Sequence, residues 1–241
     1  MQAIIFAAGF GSRLSKPLSL KPKSLLKIKN KTIIYYMINK LINCKIIKIT
    51  VVVGYQKKLL KTYLINNFKD KCDFNFINNK FYKSRGNIYS AYLLNNKINN
   101  DVIILNSDLI FQEKTLIKFL DKKHKNLFLT NKKKDITNDD ILFVHKKNKI
   151  VKKIYIKSKS DSRSLILPAA GIVKMSAISF RNYMKIISNK DLIKEKYYEA
   201  GYVELIKKNI FRVCVASQKI EEIDTARDYK KFIKTKYSKY L

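Results

Sequence analysis

The first 130 residues alternate short apolar, β-branched runs with segments of helical period, and this restricts the fold more than any other feature of the chain. QAIIFAA (2–8), KITVVVGY (48–55), CDFNFIN (72–78), DVIILNSD (101–108) and NLFLT (126–130) have the length and composition of strands. Between them, TIIYYMINKLI (32–42), QKKLLKTYLINNF (56–68), NIYSAYLLNN (87–96) and EKTLIKFLDKK (113–123) read as helices. Strands joined by crossover helices pair in parallel and carry helices on both faces. After residue 130 the pattern changes. ILFVHKKNKIVKKIYIK (141–157) predicts two short strands about a turn at Lys147–Asn148. SLILPAAGIVKMS (164–176) predicts a strand interrupted by Pro168 and Gly171. Helices are expected near 176–188 and 191–208, a last strand at 211–217 and a last helix at 225–237. No internal repeat or Pro/Gly/Ser-rich linker divides the chain, so one α/β domain with an inserted β subregion is expected.

With 241 residues and 46% apolar content, the chain can bury a sizeable core. No apolar run has the length of a membrane span, and the N-terminus lacks the pattern of a secretory signal. Cys44, Cys72 and Cys214 fit neither a disulfide framework nor metal-ligand spacing, so a cytoplasmic setting is expected. The 51 basic residues against 18 acidic ones give +33. A nucleic-acid partner is one explanation. A chain-wide bias toward Ile, Asn, Lys and Tyr is the other, and it is preferred. The lysines are spread rather than clustered, and no helix-turn-helix, zinc-finger or RNA-binding signature occurs. No specific nucleic-acid partner is therefore expected. Against this background a cluster of acids stands out.

FAAGFGSRL (6–14) breaks the first strand into small residues and ends on a cation. Ligands of open α/β sheets bind beyond the carboxyl ends of the strands, where this loop lies. Gly9 and Gly11 let backbone N–H groups approach a phosphate, and Arg13 adds a fork of donors. Ten residues on, KPKSLL supplies Lys23 in a proline-stiffened segment. The Walker pattern is absent. A dinucleotide fingerprint is excluded too: Leu14 takes the third glycine's place, and Gly54–Tyr55 ends the second strand without a ribose-binding acid.

AIIFAAGFGSRL followed by KPKSLLKI resembles the signature of the sugar-nucleotide pyrophosphorylases and cytidylyltransferases, the MobA-like nucleotidyltransferase superfamily. Along most of its length the chain is similar to bacterial phosphocholine cytidylyltransferases and phosphonate cytidylyltransferases. VVVGY (51–55), GNIYSAYLL (86–94), ILNSDLIF (104–111), AAGIVKMS (169–176), YYEAGYVELI (197–206) and EEIDTARDY (221–229) carry that narrower likeness. The resemblance implies one Rossmann-like nucleotidyltransferase domain over 1–241, with a mixed, mostly parallel sheet and a small β insertion. Residues 1–130 would be the nucleotide-binding half and 131–241 the half with the acceptor site and second metal ligand.

It further implies a transfer of CMP from CTP to a small phosphorylated or phosphonate acceptor, with Mg²⁺ as cofactor. Arg13 and Lys23 would be catalytic. Ala7, Ala8, Gly9, Gly11, Ser12, Gly86, Asn87, Ser90 and Ser107 would join them around the nucleotide. Asp108 and Asp224, with Glu222, would hold the metal, and Gly171 would lie at the acceptor. A sugar or polyol phosphate acceptor is the alternative. It is disfavoured because the PLGTA-like stretch typical of the hexose-phosphate branch is missing near 84–90.

Several of these residues keep a second reading. Asp108 can cap the next segment. Asp224 or Thr225 can cap the last helix, with Asp228 closing a capping box. Asn87 is equally suited to reading a pyrimidine edge and to capping a helix. Glu195, Tyr198, Glu199 and Tyr202 are spaced to share one helix face. That face could hold a cationic headgroup by charge and cation–π contact, or be a tyrosine stripe with solvated acids.

Overall fold

The computed structural model describes residues 1–132, 136, 140–156 and 165–234. Lys157, Ser164 and residues 235–237, the outer ends of three expected elements, lie outside the described residues. The chain opens with strand β1 (Gln2–Ala7) and, after the glycine loop, the small hairpin β2 (Lys27–Ile28) and β3 (Lys31–Thr32). Then follow α1 (Ile33–Asn43), β4 (Lys48–Val53), α2 (Lys57–Phe68), β5 (Asp73–Asn78), α3 (Asn87–Tyr92) and β6 (Val102–Asn106). Next are β7 (Leu109–Ile110), α4 (Glu113–Leu120), β8 (Leu127–Thr130), β9 (Ile141–His145), β10 (Val151–Ile156) and β11 (Ile166–Met175). Helices α5 (Ala177–Ile187) and α6 (Ala200–Lys208), strands β12 (Arg212–Val215) and β13 (Glu221–Glu222), and α7 (Ala226–Lys234) complete the described elements.

The sheet is mixed and mostly parallel around β1, as the alternating sequence implies. β1 runs parallel to β4 and β6, and β4 parallel to β5. The insertion is antiparallel: β11 pairs with β6, β8 and β9, and β10 pairs with β9. Strand order β10-β9-β11-β6-β1-β4-β5 therefore carries one sheet through both halves of the chain, with β8 branching from β11 and β12 pairing parallel with β8. Both faces of the centre are covered. Ile5, Val51 and Leu105 pack with Ile38, Leu41 and Leu64 on one side. On the other, Ile4, Val52 and Ile104 pack with Ile88, Phe180 and Tyr183. This explains why these strands read as continuous apolar runs rather than alternating ones. No helix among the described residues is long and apolar enough to cross a membrane.

Four expectations are corrected. β6 stops at Asn106, and Ser107–Asp108 form a turn that lifts the chain out of the sheet. α3 ends at Tyr92 rather than 96 and is entered through Gly86, so Asn87 is its first helical residue, not its cap. β11 spans Pro168 and Gly171 as a single strand but is irregular there: its register with β8 shifts between Ala169 and Val173, Gly171 takes φ +69°, and the strand changes partner. Ile166–Pro168 face β9 and Ile172–Met175 face β6. Finally, the helix expected over 191–208 is split into a 3₁₀ turn at Leu192–Lys194 and α6, with residues 195–199 between them.

Tertiary hydrogen bonds cause that last break. The Lys196 carbonyl accepts from the Asn87 N–H at 2.9 Å. The Tyr198 N–H donates to Asn87 Oδ1 at 2.7 Å, and the Tyr183 hydroxyl donates to the Tyr198 carbonyl at 3.0 Å. Groups that a continuous helix would pair internally are used across the molecule instead. Gly86 permits this docking, because a Cβ there runs into the Lys196 backbone. Gly86→Ala should therefore destabilise the protein by roughly 1–3 kcal/mol, the usual effect of overpacking. A lowered midpoint in thermal or urea unfolding checks this; an unchanged midpoint would mean the 195–199 turn is only loosely docked.

Candidate active site

The glycine loop leaves β1 at Ala7. Ala7 and Ala8 are buried, and the Ala8 carbonyl accepts from the Tyr55 N–H at 3.0 Å, so these two anchor the loop. Gly9, Ser12 and Arg13 are exposed, and a Cβ on Gly9 would meet nothing within 4 Å. Gly11 has φ +64°, in the left-handed region, and closes a turn in which the Leu14 N–H donates to its carbonyl at 2.8 Å. Leu14 points inward to Leu26, Ile28, Ile33, Ile110, Ile223 and Phe232. This small apolar cluster fastens the loop to β7, β13 and α7.

Lys23 follows Pro22 at the start of a single 3₁₀ turn, Lys23–Leu25. Its ammonium lies 2.6 Å from Asp108 Oδ2 and 2.6 Å from Asp224 Oδ1. The Arg13 guanidinium joins Asp224 Oδ1 at 2.9 Å. Burial pulls the Lys23 pKa down, but the charges of Asp108 and Asp224 outweigh it and raise it above the ordinary lysine value.

Asp108 and Asp224 meet through a two-stranded sheet that the sequence did not announce. β13 pairs with β7, Glu221 opposite Ile110 and Glu222 opposite Leu109. The Ile223 N–H then donates to the Asp108 carbonyl at 3.1 Å. Carboxylate oxygens of Asp108, Glu222 and Asp224 all lie within 4.8 Å of one another. The capping alternative for Asp224 is resolved. Thr225 caps α7: its Oγ1 accepts from the Asp228 N–H at 3.1 Å, while Asp228 accepts from the Thr225 N–H at 2.7 Å. Asp224 is thus left to face the lysine. An all-carboxylate donor set that already lodges an ammonium between two of its members suits a hard divalent cation. Glu222 carries the electrostatic strain. Glu222 is exposed as a residue, but desolvation of its carboxyl group by the surrounding protein, then repulsion from Asp108 and Asp224, push its pKa up to about 8.

Gly86, Asn87 and Ser90, the residues from 84–90 expected at the nucleotide, lie on α3 and its entry. Ser90 is buried, and its Oγ accepts from Asn79 Nδ2 at 2.9 Å. Asn87 is exposed, with Oδ1 engaged by Tyr198 as described above. Ser107 precedes Asp108 in the turn after β6. Gly171 lies on β11 against the Asn106 carboxamide.

The expected shared face of residues 195–202 is not formed. Glu195 is exposed on the 3₁₀ side of the break, and Tyr198 and Glu199 precede α6. Tyr198 and Tyr202 are core residues, each 3% exposed. Tyr198 packs on Phe6, and Tyr202 on Phe128 and Tyr183. Glu199 is buried among them at 7% exposure. Burial, and then in part the Glu199 charge, raises the pKa of Tyr183, Tyr198 and Tyr202 well above the ordinary tyrosine value. The periodic spacing was real but described core packing.

Two participants escaped the sequence reading. Asn106 Oδ1 accepts the Tyr198 hydroxyl at 2.8 Å, and the Tyr183 hydroxyl holds the Tyr198 carbonyl. Neither has a local signal, since both act across the fold. A cavity of about 480 Å³ also opens beside the acids, lined in part by Arg13, Glu222, Asp224, Lys219 and Lys231.

A family model described as nucleotidyl transferase matches residues 2–138. The chain is 28% identical over 241 residues to a choline-phosphate cytidylyltransferase of Streptococcus pneumoniae, covering 96% of each. It is 34% identical over 138 residues to a CTP:phosphoglutamine cytidylyltransferase of Campylobacter jejuni, covering 55% of this chain and 53% of that one. In three dimensions it overlays the CTP:phosphocholine cytidylyltransferase structure from Streptococcus pneumoniae with a TM-score of 0.80. That match has 24% identity and covers 96% of this chain and 97% of that one.

The ion pairs predict competition. Lys23→Met removes the ammonium from between the two aspartates, so Mn²⁺ should bind the nucleotide-free protein more tightly, by about tenfold or more. A titration followed by electron paramagnetic resonance measures it; unchanged or weaker binding would show that Lys23 does not share the cation's position.

Glu222 gives a pH dependence. An acid whose folded pKa is raised stabilises the fold at low pH, and that contribution is lost as pH rises through the folded value. With EDTA present, the wild type should lose stability as pH climbs from near 4.5 toward about 8. Glu222→Gln should flatten that part of the curve. Parallel melting curves across the range would reveal identical slopes if the glutamate is not responsible.

Proposed function

We propose, from the premise that this chain belongs to the nucleotidyl transferase family, that it is a Mg²⁺-dependent cytidylyltransferase. It joins CMP from CTP to a small phosphoester or phosphonate, such as phosphocholine or 2-aminoethylphosphonate, and releases pyrophosphate. The observation that carries the reading is the Lys23 ammonium between Asp108 and Asp224 at the mouth of the glycine loop. Basic side chains suited to phosphate and carboxylates suited to a metal lie together there, which supports the reading.

In this mechanism an acceptor oxygen forms a bond to the α-phosphorus of CTP while the bond from that phosphorus to pyrophosphate breaks. The acceptor is already an anion at neutral pH, so no general base is needed. Catalysis is positioning and charge neutralisation. Arg13 and the N–H groups of the glycine loop hold the β- and γ-phosphates. Lys23, exchanged from the aspartates onto the α-phosphate, neutralises the charge that builds there. Asp108, Glu222 and Asp224 would hold Mg²⁺, which would supply positive charge to neutralise the phosphates. Gly86, Asn87 and Ser90 border the base. Gly171 and Glu199 border the acceptor, with Tyr198 and Tyr202 packed behind Glu199. The choice of CTP and a small acceptor is supported by the names of the two relatives, one acting on choline phosphate and one on phosphoglutamine.

A sugar or polyol phosphate acceptor remains the second reading. Burial of both tyrosine rings favours it, because they offer no open aromatic face to a cationic headgroup.

Pyrophosphate release decides between them. CTP, UTP, ATP and GTP are each offered with phosphocholine, 2-aminoethylphosphonate, glycerol phosphate and glucose 1-phosphate. Turnover should be fastest with CTP and a cationic acceptor. Preference for glycerol or glucose phosphate would replace this reading with the second one. Asp224→Asn should lower kcat about a hundredfold or more with its unfolding midpoint retained, since Thr225 rather than Asp224 caps α7. Near-normal turnover would remove Asp224 from the site.

A further inference from the structure

We infer that Asn87 is a positioning residue that ties the nucleotide side of the cleft to the acceptor side, so that triphosphate binding orders the turn carrying Glu199. The inference rests on the assignment of residues 84–90 to the base, and extends it. Asn87 is exposed at the first position of α3, yet both its backbone and its side chain hold the 195–199 turn. Its N–H donates to the Lys196 carbonyl at 2.9 Å, and its Oδ1 accepts from the Tyr198 N–H at 2.7 Å. Gly86 lets the Lys196 backbone close against this pair. The other polar groups of Tyr198 are held from elsewhere, the hydroxyl by Asn106 on β6 and the carbonyl by Tyr183 on α5. Of the three residues outside α6 that hydrogen-bond Tyr198, Asn87 alone comes from the segment assigned to the nucleotide. Glu199, the next residue, enters α6 buried beside that grip.

The hydrogen-bond chemistry limits what Asn87 can offer a ligand. A backbone N–H can be accepted only by the carboxamide oxygen, so the amide NH₂ is the group that remains for a base. It is a donor, and it matches the acceptors on a cytosine ring, O2 and N3. A base that takes this donor immobilises the carboxamide, and the immobilised carboxamide holds Tyr198 and Glu199 more firmly. By linkage, an acceptor seated against that turn strengthens triphosphate binding by the same factor.

Hydrogen exchange read by mass spectrometry over residues 195–201 tests this without knowledge of the acceptor. The probe is CTP with Mg²⁺, at concentrations shown by calorimetry to saturate. In the wild type, CTP should slow exchange of this segment about three- to tenfold, the worth of one net hydrogen bond. Asn87→Asp keeps an oxygen for the Tyr198 N–H. Lacking a donor for the base, it should bind CTP more weakly and gain no protection even at saturation. Asn87→Ala should exchange faster at rest and gain no protection from bound CTP. Its acceptor KM should no longer fall as CTP rises, whereas the wild-type value should. Bound CTP with no change at 195–201 in the wild type overturns the inference without any variant. So does full CTP-induced protection in Asn87→Ala. If CTP does not bind and another triphosphate does, the cytidylyltransferase reading falls. The same comparison with that triphosphate then supports or overturns the coupling by the same criteria.

Discussion

β7 and β13 are two residues long each, yet they hold Asp108 beside Glu222 and Asp224, which lie more than a hundred positions further along the chain. A strand pair so short contributes little by itself. It persists because its apolar side is packed. Ile110 and Ile223 join Leu14 from the glycine loop, Leu26 and Ile28 from the lysine segment, and Phe232 from α7. Loop, lysine, metal acids and final helix therefore share one small apolar cluster behind the site. The acids can stand close together in front because the backbone behind them cannot separate. Repulsion within the triad is met by charge, with Lys23 between two members and Arg13 on the outer one.

That arrangement has a consequence for binding. The two cations suited to phosphates and the three acids suited to a metal satisfy one another. A nucleotide alone would have to draw Lys23 and Arg13 away from the acids, leaving three carboxylates crowded together without a counter-charge. A metal alone would meet an ammonium in its place. Bound together, each compensates for what the other displaces. On the proposed function, such a site would favour a metal–triphosphate pair over either partner by itself.

The aromatic residues at 198 and 202 show how one periodicity can serve two purposes. Their spacing suits an exposed helix face, yet both rings lie in the core. What they contribute to the cleft is rigidity. Tyr198 is held through its N–H, carbonyl and hydroxyl by three separate elements, and Glu199 is thereby fixed at the entry of α6.

Much of the architecture was legible in the chain. Apolar β-branched runs between helical segments specify parallel strands with crossover helices, because burial on both faces requires that composition and that connection. The turn of the glycine loop was also readable, since Gly11 adopts its left-handed conformation from local chain geometry alone. So was the capping box of Thr225 and Asp228, made of residues three apart. The β7–β13 pairing, the broken helix at 195–199, the Asn106–Tyr198 bond and the reassignment of Asn87 were not. Each depends on a partner 92 to more than 110 residues away, and no local periodicity encodes such a partner. Local sequence determined the elements and the short-range caps, because propensity, burial pattern and neighbouring hydrogen bonds act over a few residues. The tertiary structure decided which acids meet, which tyrosines are buried and what Asn87 holds, because those outcomes are set by how the packed elements bring distant polar groups within hydrogen-bond reach.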